Sequence, residues 1–325
     1  MSAPITRRVA LSLSAAMLAS GGRALADSYP SRTITLIVPY SAGGGTDIAA
    51  RLVAPGLAEV LKQSVVVVNK PGAGSIIGAE YVSKAARDGY TLLFTASDGM
   101  VMDPAIYQNL PYDTVRDFAP ITDIVTFPLF VIVKGDSPIK TIHDLVDYAK
   151  AHPDKANYSS SSSVFWLTTE LFAQQAGMEL TRVPYKGAGD MVLAVVSGQV
   201  LFAIPSPPPV IGQARSGTIR ILATTAPQRL PDFPDVPTMA EAGVPGVSVI
   251  DWSGMWAPVN TPPAIVDTLN KAVRQVLATP ELQAKAKQLN LGVAGDSVDG
   301  VKQKMTSELA LWKGVAEKAR ITMKL

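Results

Sequence analysis

A chain of 325 residues with 29 basic and 27 acidic side chains and no cysteine can bury two full cores, but it has no disulfide framework, no thiol nucleophile and no lipidated N-terminal cysteine. Its formal charge of +2 leaves no electrostatic footprint for nucleic acid. The two histidines, His143 and His152, give a Ser-His-Asp triad little to be built from; no group of His, Cys or acidic residues has metal-ligand spacing, and no cofactor is expected.

At the N-terminus, Arg7 and Arg8 precede an apolar run from Val9 to Ala19, and Ala24-Leu25-Ala26 puts small residues where a signal peptidase cuts. Residues 1–26 therefore read as a secretory signal peptide, cleaved after Ala26. The apolar run, about a dozen residues, is shorter than the roughly 20 that cross a bilayer, and no later segment replaces it. Thr6-Arg7-Arg8 is similar to a twin-arginine signal, although Ala10 stands where that pattern has a bulky apolar residue. The Sec and twin-arginine routes both stay open, and either delivers the protein to the periplasm. Cleavage removes three arginines, Arg7, Arg8 and Arg23, and no acid, which carries the formal charge from +2 to −1.

Short β-branched runs then alternate with amphipathic segments. Ile34 to Pro39, Val65 to Asn69, Leu92 to Thr95, Leu129 to Val133, Leu201 to Ile204 and Ile219 to Thr224 read as strands. Several are apolar throughout, as a sheet covered on both faces requires. Helical spacing runs over Asp47–Lys62, Ile76–Ala86, Thr141–Ala151, Phe165–Ala176 and Asp190–Ser197. His143 and Asp147 share a face of the third of these, which reads as a solvated face. The alternation predicts two α/β lobes with mainly parallel sheets. Ala264–Leu277, Pro280–Leu289 and Val298–Ala319 read as helices with no strands between them, packing back on the first lobe. That makes lobe 1 discontinuous, residues 27–125 and 251–325, with lobe 2 over 126–250.

The loops after the strands carry the functional signal. Pro39-Tyr40-Ser41-Ala42-Gly43-Gly44-Gly45-Thr46-Asp47 follows the first strand and opens a helix. Its glycines turn the backbone tightly and point free amides outward, with Thr46 or Asp47 as the cap. An uncovered helix start is an anion site, and the absence of a Lys-Ser/Thr pair excludes a nucleotide P-loop. Asn69-Lys70-Pro71-Gly72-Ala73-Gly74-Ser75-Ile76-Ile77-Gly78 is a second such loop, whose GxGxxxG spacing argues against a dinucleotide. Both at strand carboxyl ends of one lobe favour a crevice. From the other lobe, Tyr158-Ser159-Ser160-Ser161-Ser162-Ser163 runs into a helix beginning at Phe165, so five hydroxyls and the first amides of a helix converge as an opposing wall.

The stretches VPYSAGGGTDIAAR, VVNKPGAGSIIGAEYVSKAARDGYTLLF, VPYKGAGDMVLAVVSGQV, DVPTMAEAGVPG and WSGMWAPVNTPPAIVDTLN resemble, in order and spacing, the solute receptors of the tripartite tricarboxylate transporter family, also known as Bug-type receptors. The resemblance covers nearly the whole mature chain. It implies a type II periplasmic-binding-protein fold, two α/β lobes joined by a two-strand hinge. It also implies a small organic acid held in the interlobe cleft by backbone amides, hydroxyls and waters rather than a buried Arg, and membrane subunits of a transporter as partners. The receptor is expected to be a monomer without catalytic residues. Position by position, the resemblance points to Tyr40, Ser41, Ala42, Gly43 and Asp47, to Ser75 and Ile76, and to Ala96, Ser97 and Asp98 in lobe 1. In lobe 2 it points to Ser159, Ser160, Ser161, Ser162, Ser163, Val164, Lys186, Gly187, Pro205 and Ser206.

The departures from the family pattern narrow the ligand. Ser41-Ala42 replaces Pro-Pro or Pro-Gly, Asp98-Gly99 replaces His-Ala, and an all-serine run followed by Val164, Phe165 and Trp166 replaces Gly-Ser-x-Gly-x-Gly. Leu201-Phe202-Ala203-Ile204-Pro205 lacks the usual acidic residues, which disfavours an ammonium-bearing ligand. Phe165, Trp166 and Phe202 at the cleft would suit an apolar or aromatic acid, whereas Asp98 there repels a carboxylate unless it caps, is protonated or meets a donor group of the ligand. A signalling receptor uses the same cleft equally well. A serine hydrolase lacks its histidine, and a cytosolic regulator lacks both a helix-turn-helix segment and a reason for the export signal.

Overall fold

Two sheets organise the protein in this computed structural model, which describes residues 29–324; the expected signal peptide and its cleavage site lie outside the described residues. The chain begins with β1 (Ile34–Val38), α1 (Gly45–Leu61), β2 (Val65–Asn69), α2 (Ile76–Ser83) and β3 (Thr91–Ala96). A π-helical turn over Asp98–Met102 runs into the short α3 (Asp103–Ile106), followed by β4 (Phe118–Pro128). Next come β5 (Phe130–Lys134), α4 (Ile142–Ala151), β6 (Asn157–Ser160), α5 (Ser163–Ala176), β7 (Thr181–Pro184), α6 (Ala188–Val196), β8 (Phe202–Ala203), α7 (Pro208–Arg215) and β9 (Ile219–Thr224). The chain closes with β10 (Ile250–Pro258), α8 (Pro263–Leu277), α9 (Pro280–Gln288), β11 (Gly292–Val293) and α10 (Val298–Lys318).

The first sheet has the order β11-β4-β10-β3-β1-β2 and the second β7-β6-β8-β5-β9. In the second, β6 is parallel to β7 and β8, whereas β5 is antiparallel to both β8 and β9. In the first, β1 is parallel to β2 and β3, and β10 is antiparallel to β3 and β4. Both sheets are thus mixed: each receives an antiparallel strand where the chain arrives from the other, β5 after β4 and β10 after β9. The short β11, antiparallel to β4, corrects the expectation of an all-helical C-terminal stretch.

Alternation along the strands splits the first sheet between two covers. Leu36, Val38, Leu92 and Phe94 pack with Ala49, Val53 and Leu57 of α1 and Leu269, Val273 and Val276 of α8. Ile37 and Leu93 face the other way, in a core with α2 and α10 that runs on into the second sheet. A Cβ on Gly56 of α1 would stand 2.7 Å from Val276 of α8, so glycine is what lets these helices approach. The sequence reading fails at β2: Val66 and Val68 are 45% and 41% exposed, because β2 is an edge strand covered on one face only.

The two crossings lie side by side, since Ile250–Asp251 pair with Phe127–Pro128. Thr225, wholly buried, clasps them: its Oγ1 accepts from Leu129 N–H at 2.8 Å and donates to Val249 O at 2.6 Å. This pair of crossings is the two-strand hinge. A helix contact also joins the two sheets' layers: Gln174 of α5 donates to Val315 O of α10 at 3.1 Å.

Candidate functional site

Helix starts differ in whether a side chain caps them. Thr141, Thr279 and Ser297 cap α4, α9 and α10, none of which follows a parallel strand. The helices that leave the carboxyl ends of parallel strands, α1, α2, α5 and α6, begin at Gly44, Ser75, Ser162 and Gly187 with no side chain on their first amides. The starts of α3, α7 and α8, which begin after Met102, Pro207 and Pro262, have no side-chain cap either. A first turn without a side-chain cap offers donors and the positive dipole end to whatever enters between the sheets, except where the loop's own carbonyls take up its amides.

The α1 loop is only partly as expected. Its residues Ser41, Ala42, Gly43 and Gly44 are exposed, and Gly43 takes φ +85°, a conformation open to glycine at no steric cost. Neither expected residue caps the helix, which starts at Gly45, ahead of both. Thr46 meets the Ser253 hydroxyl, while Asp47 folds back to accept from Gly43 N–H at 2.9 Å and also from Arg51 Nε and Asn69 Nδ2. Burial alone would raise the Asp47 pKa, but these donors outweigh it and hold the carboxyl below its usual range. The Gly43 amide is therefore spent internally, whereas Gly45 remains at the helix mouth.

The second loop is more fully spent. Ser75 N–H and Ile76 N–H both turn back to Ala73 O, at 3.1 and 3.3 Å, and Ile77 N–H to Gly72 O at 3.4 Å. Ser75 and Ile76 are buried, and the Ser75 hydroxyl donates to Asp103 Oδ2 at 3.0 Å. Ser75 belongs to the floor of the site rather than to an open anion cradle.

That floor is acidic. Asp98, Asp103 and Asp251 are all buried and each is served by hydroxyls. Tyr40 donates to Asp98 Oδ1 and meets Thr95 Oγ1 at 3.0 Å, Ser97 donates to Asp251 Oδ1 at 2.8 Å, and Gly99 N–H donates to Asp98 at 2.7 Å. Ser163, the first residue of α5, donates across the cleft to Asp103 Oδ1. No basic side chain among the described residues offsets them, so desolvation dominates. Burial raises the Asp98 pKa against hydrogen bonds from Tyr40, Gly99 and Ser162. Burial, with the Asp98 charge, pushes Asp103 up to about 7 and Asp251 well above the carboxylate range. Of the conditions set out for Asp98, the upward shift points toward the protonated form.

The second-sheet wall also differs from the sequence reading. Ser159 and Ser160 are residues of β6 itself, fully buried. Ser159 donates to Met191 O at 3.2 Å and Ser160 accepts from Arg182 Nε at 2.6 Å. Ser161 and Ser162 are half-buried and Val164 buried, with Ser161 Oγ 3.1 Å from Met191 Sδ. Phe202 is core, packed on Tyr158 and Phe172, and does not line the cleft; Trp166 is half-buried beneath the Arg182 guanidinium. Lys186 is exposed and Gly187 half-buried at the start of α6. Pro205 O accepts from Phe130 N–H, and Ser206 Oγ lies 4.0 Å from where a Gly45 Cβ would be, which brings the α1 start and the second sheet face to face. Sequence reasoning missed Thr95, Asp103, Arg182 and Asp251; the only local signal was the five-residue spacing of Asp98 and Asp103. His143 and Asp147 pair at 2.9 Å on an exposed face, the solvated role expected of them.

Residues 49–320 match the tripartite tricarboxylate transporter family receptor. The chain belongs to this family. It is a family of periplasmic binding receptors, not of enzymes. Among similar solved structures, R. palustris Rpa4515 with adipate is 35% identical with a TM-score of 0.86, covering 91% of this chain and 100% of that one. MatC from Rhodopseudomonas palustris with bound malate is 30% identical with a TM-score of 0.82, over 88% and 99% of the two chains. The periplasmic binding protein BugD is 33% identical with a TM-score of 0.83, over 91% and 100%. The two-lobed α/β fold of this receptor is the periplasmic-binding-protein fold that the sequence resemblance implied.

Proposed function

We propose that this receptor is exported to the periplasm, captures a small carboxylate-bearing organic acid between its two sheets and presents it, as a monomer without catalytic activity, to the membrane subunits of a tripartite transporter. One observation carries the reading: α1, α5 and α6, which leave the carboxyl ends of parallel strands on the two sheets, begin at Gly44, Ser162 and Gly187 with no side chain capping their first amides. Adipate and malate in the two similar receptors support the ligand class. Under this reading the lobes divide as 27–125 with 251–325 and as 126–250, the boundaries falling at the Thr225 clasp. The candidate contacts narrow to Ser41, Ala42, Gly45, Ser161, Ser162, Gly187 and Ser206, with Tyr40, Ser75, Ser97 and Asp98 forming the floor beneath.

Closure needs only that the ligand bind the closed arrangement better than the open one. The test is a thermal-shift screen of mono- and dicarboxylates, aromatic acids included, followed by calorimetry. A true ligand at 100 times its Kd stabilises the fold by about 2.7 kcal/mol; a screen in which no acid shifts the melting temperature would end the proposal.

A further inference from the structure

Among the described arginines, those that are not exposed are Arg182 and Arg220. Arg220 is fully occupied, donating to Gly135 O, Ser137 O and Ile139 O at 2.8 to 2.9 Å. Arg182, on β7, is different. Only its Nε has a partner, Ser160 Oγ at 2.6 Å. No described carboxylate lies within ion-pair distance of it, and the acid on the adjoining face of α5, Glu170, already accepts from Tyr158 at 2.6 Å. The guanidinium lies over the Trp166 ring, 3.9 Å from its centroid.

Stacking fixes the plane of this guanidinium and the Ser160 bond fixes its rotation, so its terminal nitrogens are held as a fork. That is the geometry that grips a carboxylate with two parallel hydrogen bonds. A half-buried cation without a counter-ion carries an uncompensated desolvation cost, and burial does hold the Arg182 pKa below its usual value. The surroundings favour the same occupant. Ser160 ends β6, Trp166 lies in the first turn of α5, whose amides are uncapped, and from the first sheet's side Tyr107 lies close enough to feel both Arg182 and Asp103.

We infer that Arg182 is a specificity-determining residue that binds the second carboxylate of a two-ended acid whose first carboxylate sits at the α1 loop. The inference rests on the carboxylate-receptor reading above and narrows the ligand to dicarboxylates.

The experiment is calorimetry of the mature receptor with straight-chain α,ω-dicarboxylates from succinate to suberate and the monocarboxylate of matching length, in wild type, Arg182→Gln and Arg182→Lys. In wild type the best diacid binds at least about tenfold more tightly than its monoacid. Arg182→Gln abolishes that advantage while leaving monoacid affinity within about twofold, and Arg182→Lys, which keeps the charge but not the fork, falls between. A wild type with no diacid preference overturns the inference, as does an Arg182→Gln receptor that keeps it. Equal loss of both acids in the variants makes Arg182 structural and overturns it too. A wild type that binds neither acid refutes the carboxylate-receptor reading itself, and this inference falls with it. Arg182→Lys decides the matter if the glutamine variant does not fold.

Discussion

Asp103 makes the acidic floor testable through stability. Its side chain is 3% exposed, it accepts from Ser75 and Ser163, and its pKa rises from 3.8 to about 7 through burial and the Asp98 charge. An acid whose folded-state pKa lies above its unfolded value binds more protons in the native state. Stability is therefore highest below pH 3.8 as far as this group is concerned, and falls as pH rises through about 7. At roughly 1.4 kcal/mol per unit the full penalty is about 4 kcal/mol, of which about 3 kcal/mol falls between about pH 5 and about pH 8.5. Asp103→Asn removes the ionisation while keeping the shape: one serine hydroxyl still donates to Oδ1 and the other rotates to accept from Nδ2. Urea unfolding of wild type and variant at those two pH values reads Asp103 together with its interaction with Asp98, because titrations away from that pair are common to both. The expected result is a stability that falls more steeply with pH in wild type, by about 3 kcal/mol. Parallel pH profiles would mean that Asp103 ionises as freely in the fold as outside it, and the desolvated floor would have to be abandoned.

Two further substitutions probe the hinge and the α1 loop. Thr225→Val keeps the shape but strands Leu129 N–H and Val249 O, which both meet its hydroxyl, and should cost about 3 kcal/mol in denaturant unfolding; a loss below about 1 kcal/mol would remove the clasp from the account. Ala42→Asp places a carboxylate on the exposed rim of the α1 loop, where it should weaken acid binding by at least about tenfold with an unchanged melting temperature for the empty receptor; undiminished affinity in calorimetry would take that loop out of the site.

What the sequence disclosed followed from local rules. Ile34–Val38, Val65–Asn69 and Ile219–Thr224 are runs dominated by β-branched or apolar residues, and their strands fall where the runs do. The helices after them were visible through spacing and through glycine, which leaves a helix start uncapped as plainly as Thr141 caps one. β4 and β10 stayed hidden, although they form the longest antiparallel ladder. Pro120, Asp123 and Pro128 interrupt one, Ser253 and Gly254 the other, and the register shifts at Ser253–Gly254 and Met255–Trp256. Pairing partners more than a hundred residues apart hold them, and a window of sequence does not contain those partners. The serine run misled for the opposite reason: its polarity suggested a loop, but two of its residues are interior strand positions because Met191 O and Arg182 engage their hydroxyls.

The same distinction divides the labour in the cleft. Hydroxyls counted in sequence as ligand donors are mostly committed inside the protein, Ser75 and Ser163 to Asp103, Ser97 to Asp251 and Ser160 to Arg182. Each such bond lowers the cost of burying a carboxyl or a guanidinium, so deleting a serine perturbs folding before it perturbs binding. On the proposed reading, what remains for a guest is the backbone at helix starts, which no side-chain substitution removes, the uncommitted hydroxyls of Ser41 and Ser206, and the fork of Arg182. Alanine at Ser75, Ser97, Ser160 or Ser163 would therefore report on stability, whereas Ala42→Asp and Arg182→Gln would act on the two ends of the proposed ligand. Strong, ligand-specific loss of affinity from Ser75→Ala, with stability untouched, would reverse that assignment.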